Sequence, residues 1–245
     1  MSKPVLRKLL VLWLGWAIIL LAFQNIAGMR LQPDRRDYVL EWTQFESEAN
    51  SWAGRLNLLG PFLNEQVGWD SEFYISIATA GYDDPSLRAI PSDFDWGRFP
   101  NFCQAGSGAD CYSLNYAFFP LYPWAMKLVG LPLQVTTLTP VAAAALAGVI
   151  VSLLGTLGAM LGLYVLAERR LGEEGALRTA FYLLIFPSGF FLAQVYTEGL
   201  FIGLTFGAFA LLQKRRWGWT ALLAALAVWA RPGGHAMDPG HPAGV

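Results

Sequence analysis

A chain of 245 residues that is 55% hydrophobic and only 14% charged departs from a soluble domain, in which about a quarter of the residues are charged. Its net charge of −1, with no basic run interleaved with aromatics, leaves no electrostatic footprint for nucleic acid. The shortage of charge is local. Leu9–Met29 and Leu128–Ala167 contain no Asp, Glu, Lys or Arg, and roughly 20 apolar residues suffice to cross about 30 Å of hydrocarbon. The expected fold class is all-α, a polytopic transmembrane helical protein of about five spans with a large external loop after the first span.

In chain order, Lys3, Arg7 and Lys8 precede the first apolar run. That run is longer than a signal-peptide core, and no small-x-small site follows before Arg30, so 1–28 reads as an uncleaved transmembrane helix with a cytoplasmic N-terminus. Residues 29–127 read as an extracytoplasmic loop with interfacial helices. Between Arg30 and Tyr116 this loop carries 13 acidic and 6 basic residues. Cys103 and Cys111 suit either a disulfide in an oxidising compartment or two thiols, and they lack the CxxC spacing of a zinc site. Within the loop, Phe73, Tyr74, Ile75, Ile77 and Ala78 read as the apolar side of an amphipathic helix lying on the membrane surface and ended by Gly81. Phe118–Pro132, interrupted by Pro120, Pro123, Lys127 and Pro132, reads as interfacial rather than spanning.

The transmembrane part is expected over 128–231. Basic residues at Arg169, Arg170 and Arg178, and again at Lys214–Arg216, mark cytoplasmic turns. One helix from about Thr139 to Ala167 therefore leads inward. Between Arg178 and Lys214 the crossings must be even, so two short spans are expected with Tyr196-Thr197-Glu198 at their outer turn. A last apolar run, Trp217–Ala230, returns outward to Arg231. Pro187 and Gly189 are expected to kink the third span, and Gly148, Gly155, Gly158 and Gly162 to allow close helix packing. Residues 232–245, including His235 and His241, read as a disordered tail, and the stop so soon after the last run reads as a C-terminal truncation.

Asp70 has two readings on its own residues: an N-cap of the loop helix, or a carboxylate at the lipid surface that takes a proton from an acceptor hydroxyl. Trp69 beside it is a sugar-stacking face or an interfacial anchor. Glu72 is a second candidate base or a solvated carboxylate of the first helical turn. Glu198 is the one charge between Arg178 and Lys214; ionisable groups at membrane depth tend to be functional. It would orient an acceptor or pair with Arg231, or sit wetted in an external turn. Arg231 would hold a phosphate by a bidentate contact or snorkel at the interface. No Asp-x-Asp or His cluster compels a metal, and no cofactor is expected.

Four segments together carry a resemblance: Trp69-Asp-Ser-Glu-Phe-Tyr74 with Ala80-Gly-Tyr82, Ala117-Phe-Phe-Pro-Leu-Tyr-Pro123, Phe186-Pro-Ser-Gly-Phe-Phe191, and Tyr196-Thr-Glu198. In order and approximate spacing the chain resembles the PIG-V-type (GPI mannosyltransferase 2-like) family of GT-C membrane glycosyltransferases. The resemblance implies transfer of a sugar, mannose foremost, from a polyprenyl-phosphate donor to a lipid or glycan acceptor at the external face of a bacterial-type plasma membrane. It implies inversion with one general base, Asp70, and substrate contacts from Trp69, Glu72, Tyr74, Glu198 and Arg231. The competing expectation is a non-enzymatic membrane protein, a transporter fragment or lipid-handling scaffold.

Overall fold

The computed structural model describes residues 1–30, 51–52, 55–56, 61–68, 70–84, 88–91, 103–104, 111–138 and 140–231. The tail at 232–245 and Trp69 lie outside them. The chain forms two compact units. One holds residues 1–23, 119–122 and those from Val149 onward; the other holds 24–118 and 123–148.

The first unit holds α1 (Lys3–Arg30) as far as Phe23 and the next long helix from Val149 onward; α1 admits Pro4 because the first turn of a helix has no intrahelical partner for its N–H. Helix α4 (Pro140–Ile185) is one run of 46 residues interrupted at Gly172, with φ 69° and ψ 179°. That conformation is open to glycine and closed to residues with a Cβ. The chain reverses there. Thr156 Oγ1 donates to the Leu192 carbonyl and Ser152 Oγ to the Tyr196 carbonyl, each at 2.9 Å, so the limb before Gly172 and the chain after it run antiparallel. Val5 and Leu9 pack with Met160, Tyr164, Ala176, Ala180 and Leu184 in one buried cluster, while Trp13 Nε1 donates to the Leu153 carbonyl at 2.9 Å. α1 therefore runs antiparallel to the first limb.

The kink expected at Pro187 is instead an ending. α4 stops at Ile185, and Gly189–Ala193 forms a 3-10 turn. Proline removes the N–H that a continuing helix needs and disfavours helical backbone at the residue before it. Helix α5 (Glu198–Gln213) then descends parallel to the first limb of α4. A Cβ on Gly155 would sit 2.5 Å from the Gly199 carbonyl carbon, one on Gly162 would sit 2.7 Å from that of Phe206, and one on Gly203 would strike the Gly155 carbonyl. Positions climb together in both helices, which fixes their shared direction. Helix α6 (Trp217–Ala230) returns along α5, with Leu223 beside Gly207.

These directions gather Lys8, Arg169, Arg170 and Lys214–Arg216 at one end and Tyr196–Glu198 with Arg231 at the other. Lys3–Ala27 and Pro140–Ile185 are long and apolar enough to cross a membrane, whereas α5 and α6 are shorter apolar helices. Val11, Ile19, Phe23, Tyr182, Trp217 and Trp229 are large and exposed. A soluble protein does not leave such a surface wet. This is a membrane protein.

The second unit is built around α2 (Ser71–Thr79). The amphipathic surface helix expected there is not what forms: Ser71 through Ala78 are all buried, and the 3-10 turn Leu114–Ala117 and the residues after Gly81 supply partners on its polar side too. Phe73 stacks on Phe118 at 4.6 Å between ring centroids. Short strands interrupt the all-α expectation: β1 (Ser51–Trp52) pairs with β2 (Arg55–Leu56), and β3 (Arg88–Pro91) lies between β4 (Cys103–Gln104) and β5 (Cys111–Ser113). Cys111 is disulfide-bonded in a chain with two cysteines. Helix α3 (Leu121–Gly130) begins at the first residue after Pro120. Its ten residues, about 15 Å long, are too short to span a bilayer.

Candidate functional site

Asp70 stands immediately before the first turn of α2, the position that its capping reading required. Its side chain makes no capping hydrogen bond. The turn is closed by its neighbours: Ser71 Oγ donates to the Gly68 carbonyl at 2.7 Å, and the Gly68 N–H donates to Ser71 Oγ at 3.1 Å. The Asp70 backbone carbonyl accepts from the N–H groups of Phe73 and Tyr74. Serine thus fixes the turn, and the Asp70 carboxylate is exposed.

Glu72, read from the sequence as a solvated first-turn carboxylate or a reserve base, is only 6% exposed. It belongs to the interior of the unit. Tyr74 is also buried, its ring edge-on to Phe118 at 5.2 Å. A buried polar cluster that the sequence did not signal anchors the other end of α2. Ser76 Oγ donates to Asp84 Oδ2 at 2.7 Å, and Asn115 Nδ2 donates to Ser76 Oγ at 2.9 Å and to the Gly81 carbonyl at 3.2 Å. Buried polar groups that satisfy one another specify one arrangement, and here that arrangement holds α2, and with it Asp70, against the segment Leu114–Ala117. Asp84 lies 8 residues beyond Ser76 and Asn115 lies 39 beyond it, with no common spacing, so only the folded chain reveals the cluster.

In the first unit, Arg231 Nη1 donates to Glu198 Oε1 at 2.5 Å. The pair closes the open end of the α5–α6 hairpin, one of the arrangements that the sequence allowed for Glu198. Glu198 Oε2 is buried and has no hydrogen-bond partner among the described residues. It is an acceptor available to a donor that enters the site. Behind it, Tyr122 Oη and Ser152 Oγ are 2.9 Å apart, and Ser152 passes the interaction on to the Tyr196 carbonyl. These bonds, with that of Thr156, satisfy carbonyls of the irregular stretch 189–197, which an apolar environment would otherwise leave unpaired. Between α4, α5 and α6 lies an apolar groove of about 550 Å³ lined by Gly155, Gly158, Gly203, Gly207 and Leu223, among others. Asp70 belongs to one unit and the Glu198–Arg231 pair to the other.

Residues 95–236 match the sequence family described as Mannosyltransferase (PIG-V). That stretch contains Glu198 and Arg231 and begins beyond Asp70. A curated relative, GPI alpha-1,6-mannosyltransferase 2 of Cricetulus griseus, is 30% identical over 170 residues, which cover 68% of this chain and 28% of the relative. The chain thus spans less than a third of that protein's length. No solved structure matches.

Proposed function

Since the chain belongs to the PIG-V mannosyltransferase family, we propose that it carries the part of a GT-C-type transferase that moves mannose from a polyprenyl-phosphate donor to an acceptor hydroxyl. The observation that carries this reading is an exposed carboxylate, Asp70, held at the head of a helix buried from Ser71 to Ala78 and not used as its cap. The acceptor O–H gives its proton to Asp70 as its oxygen bonds to the anomeric carbon. The bond from that carbon to the phosphate oxygen breaks, and polyprenyl phosphate leaves with the electron pair. Attack opposite the leaving group inverts the anomeric centre, so one base suffices.

The other substrate contacts follow from what each group can do. Trp69, next to the base, offers a ring to the sugar. Glu72 and Tyr74 shape the wall behind Asp70 from their buried positions. Glu198 accepts a hydroxyl hydrogen through its second oxygen, and Arg231, held by the first, has guanidinium N–H groups left for the donor phosphate. The apolar groove beside α5 has room for a lipid chain. The alternating helix directions and the basic residues gathered at one end support five crossings, with Glu198, Arg231 and Asp70 facing the outside of a bacterial-type plasma membrane.

Membranes bearing the chain, supplied with radiolabelled polyprenyl-phosphate mannose, test the reading. Asp70→Asn would lower transfer by about 10²- to 10⁴-fold while the protein still inserts. Retained transfer would remove Asp70 from the mechanism. Cysteine substitutions at 70 and 198 would each label from outside; labelling of either from the cytoplasmic side would overturn the outward orientation.

A further inference from the structure

An exposed tyrosine side chain ordinarily rotates about two bonds, and ordering it costs conformational entropy. Tyr116 is 59% exposed yet is held twice. Its ring lies 5.2 Å from that of Tyr82, tilted by 34°, and its hydroxyl donates to Asp83 Oδ1 at 2.9 Å. Tyr82 is itself fixed, its hydroxyl donating to the Phe118 carbonyl at 2.9 Å. Both phenols are held above their ordinary pKa of 10.0: Tyr116 by its hydrogen bond to Asp83, then by burial and the Asp83 charge, and Tyr82 by burial, then by Tyr116. They are neutral donors at any physiological pH. The outcome is a pre-set aromatic ring open to water, with a carboxylate at its rim. None of the three residues is used by the proposed chemistry at Asp70.

We propose that Tyr82, Asp83 and Tyr116 form a binding subsite for an oligosaccharide portion of the acceptor; this rests on the sugar-transfer reading. The C–H face of a pyranose packs against an aromatic ring, and its hydroxyls need acceptors at the ring's edge. A carboxylate has about four lone-pair sites, of which the Tyr116 hydroxyl occupies one. Pre-ordering of the ring and carboxylate lowers the entropy lost when a sugar binds. The placement also sets the size of the ligand. Asp70 precedes α2, and Tyr82 follows its end. Nine residues of helix separate them, about 13 Å at the usual rise. An acceptor that engages both is longer than a single sugar ring.

The test is binding, read separately from turnover. The full chain in lipid nanodiscs is titrated with mannotriose and with chitotriose by saturation-transfer NMR, with mannose as the size control. At least one trisaccharide should bind more tightly than the monosaccharide. Tyr116→Ala should weaken that binding about tenfold and Asp83→Asn about threefold. Tyr116→Trp, which keeps a ring, should retain binding, and its fluorescence should respond to the sugar and not to brominated lipids. Binding of neither trisaccharide, binding unchanged in Tyr116→Ala, or quenching of the Tyr116→Trp indole by brominated lipid, which would make the position a bilayer anchor, would each overturn the subsite. Transfer measured on the same discs separates the two claims: transfer without trisaccharide binding removes the subsite alone, and binding without transfer removes the enzymatic reading.

Discussion

The two units hold their helices by opposite means. In the first, α4 and α5 approach until backbone meets backbone: Gly155, Gly162, Gly199 and Gly203 leave no room for a single methyl group. In the second, α2 is held by hydrogen bonds among Ser76, Asp84, Asn115 and the Gly81 carbonyl. The solvents explain the contrast. Lipid tails are as apolar as leucine, so helices in a bilayer gain little by hiding apolar surface from them and associate through close contact instead. A segment bathed in water gains from apolar burial, and its buried polar groups must then be paired.

The largest effect that tests this contrast comes from filling the close contact. Gly203→Val would destabilise the first unit by about 3 kcal/mol, seen as a lowered melting temperature in detergent. Gly15→Val, whose Cβ meets nothing within 4 Å, would be nearly silent. Equal behaviour of the two would mean that the glycines are not what brings the helices together. Next, Asn115→Ala would cost about 2 kcal/mol and expose the loop unit to protease while leaving the helical unit intact. Protection of the loop unit in that variant would show that apolar packing alone holds α2.

The sequence discloses the first unit better than the second. Counting crossings places Glu198 and Arg231 at the same end of their helices, which leaves them free to pair, and the expected helix directions follow from where arginines and lysines sit. Even the break at Gly172 is written there: Arg169 and Arg170 close one helix, glycine follows, and Glu173 and Glu174 open the next, each charge matching the helix dipole beside it. Hydropathy assigns Thr139–Ala167 and the run after Arg178 separately and passes over that signal, because it scores the apolar runs and not the charged turn between them. The loop unit is harder because its information is non-local. Phe73, Ile75 and Ile77 look the same in sequence whether the polar side of their helix faces water or faces Asn115. Periodicity locates an apolar stripe, and it does not report that a segment some forty residues later covers the other side.

Smaller effects sharpen the comparison at its charged edges. Glu198→Gln would cost about 0.5 kcal/mol of stability, since Arg231 is half exposed and such pairs are screened; a loss of several kcal/mol would mean that the pair acts as a structural lock. In the loop unit, Tyr116 ionises above its ordinary pKa of 10.0, chiefly through the hydrogen bond to Asp83. A raised folded-state pKa contributes stability that is complete below pH 10 and is lost as pH rises through the folded value. Asp83→Asn would therefore move phenolate appearance at 295 nm to lower pH, and an unmoved titration would show that the clamp does not form in solution.

Reversal at Gly172 leaves no slack between the limbs on either side of it. Where the chain turns decides which residues face each other all the way along the hairpin, up to Ser152 against Tyr196. A few residues inserted at the turn would let one limb slide past the other by a step, and the serine would then meet a different carbonyl. The geometry at the far end of the bundle, where Glu198 and Arg231 meet, is thus calibrated from the opposite end by the dihedral freedom of one residue that carries no side chain at all.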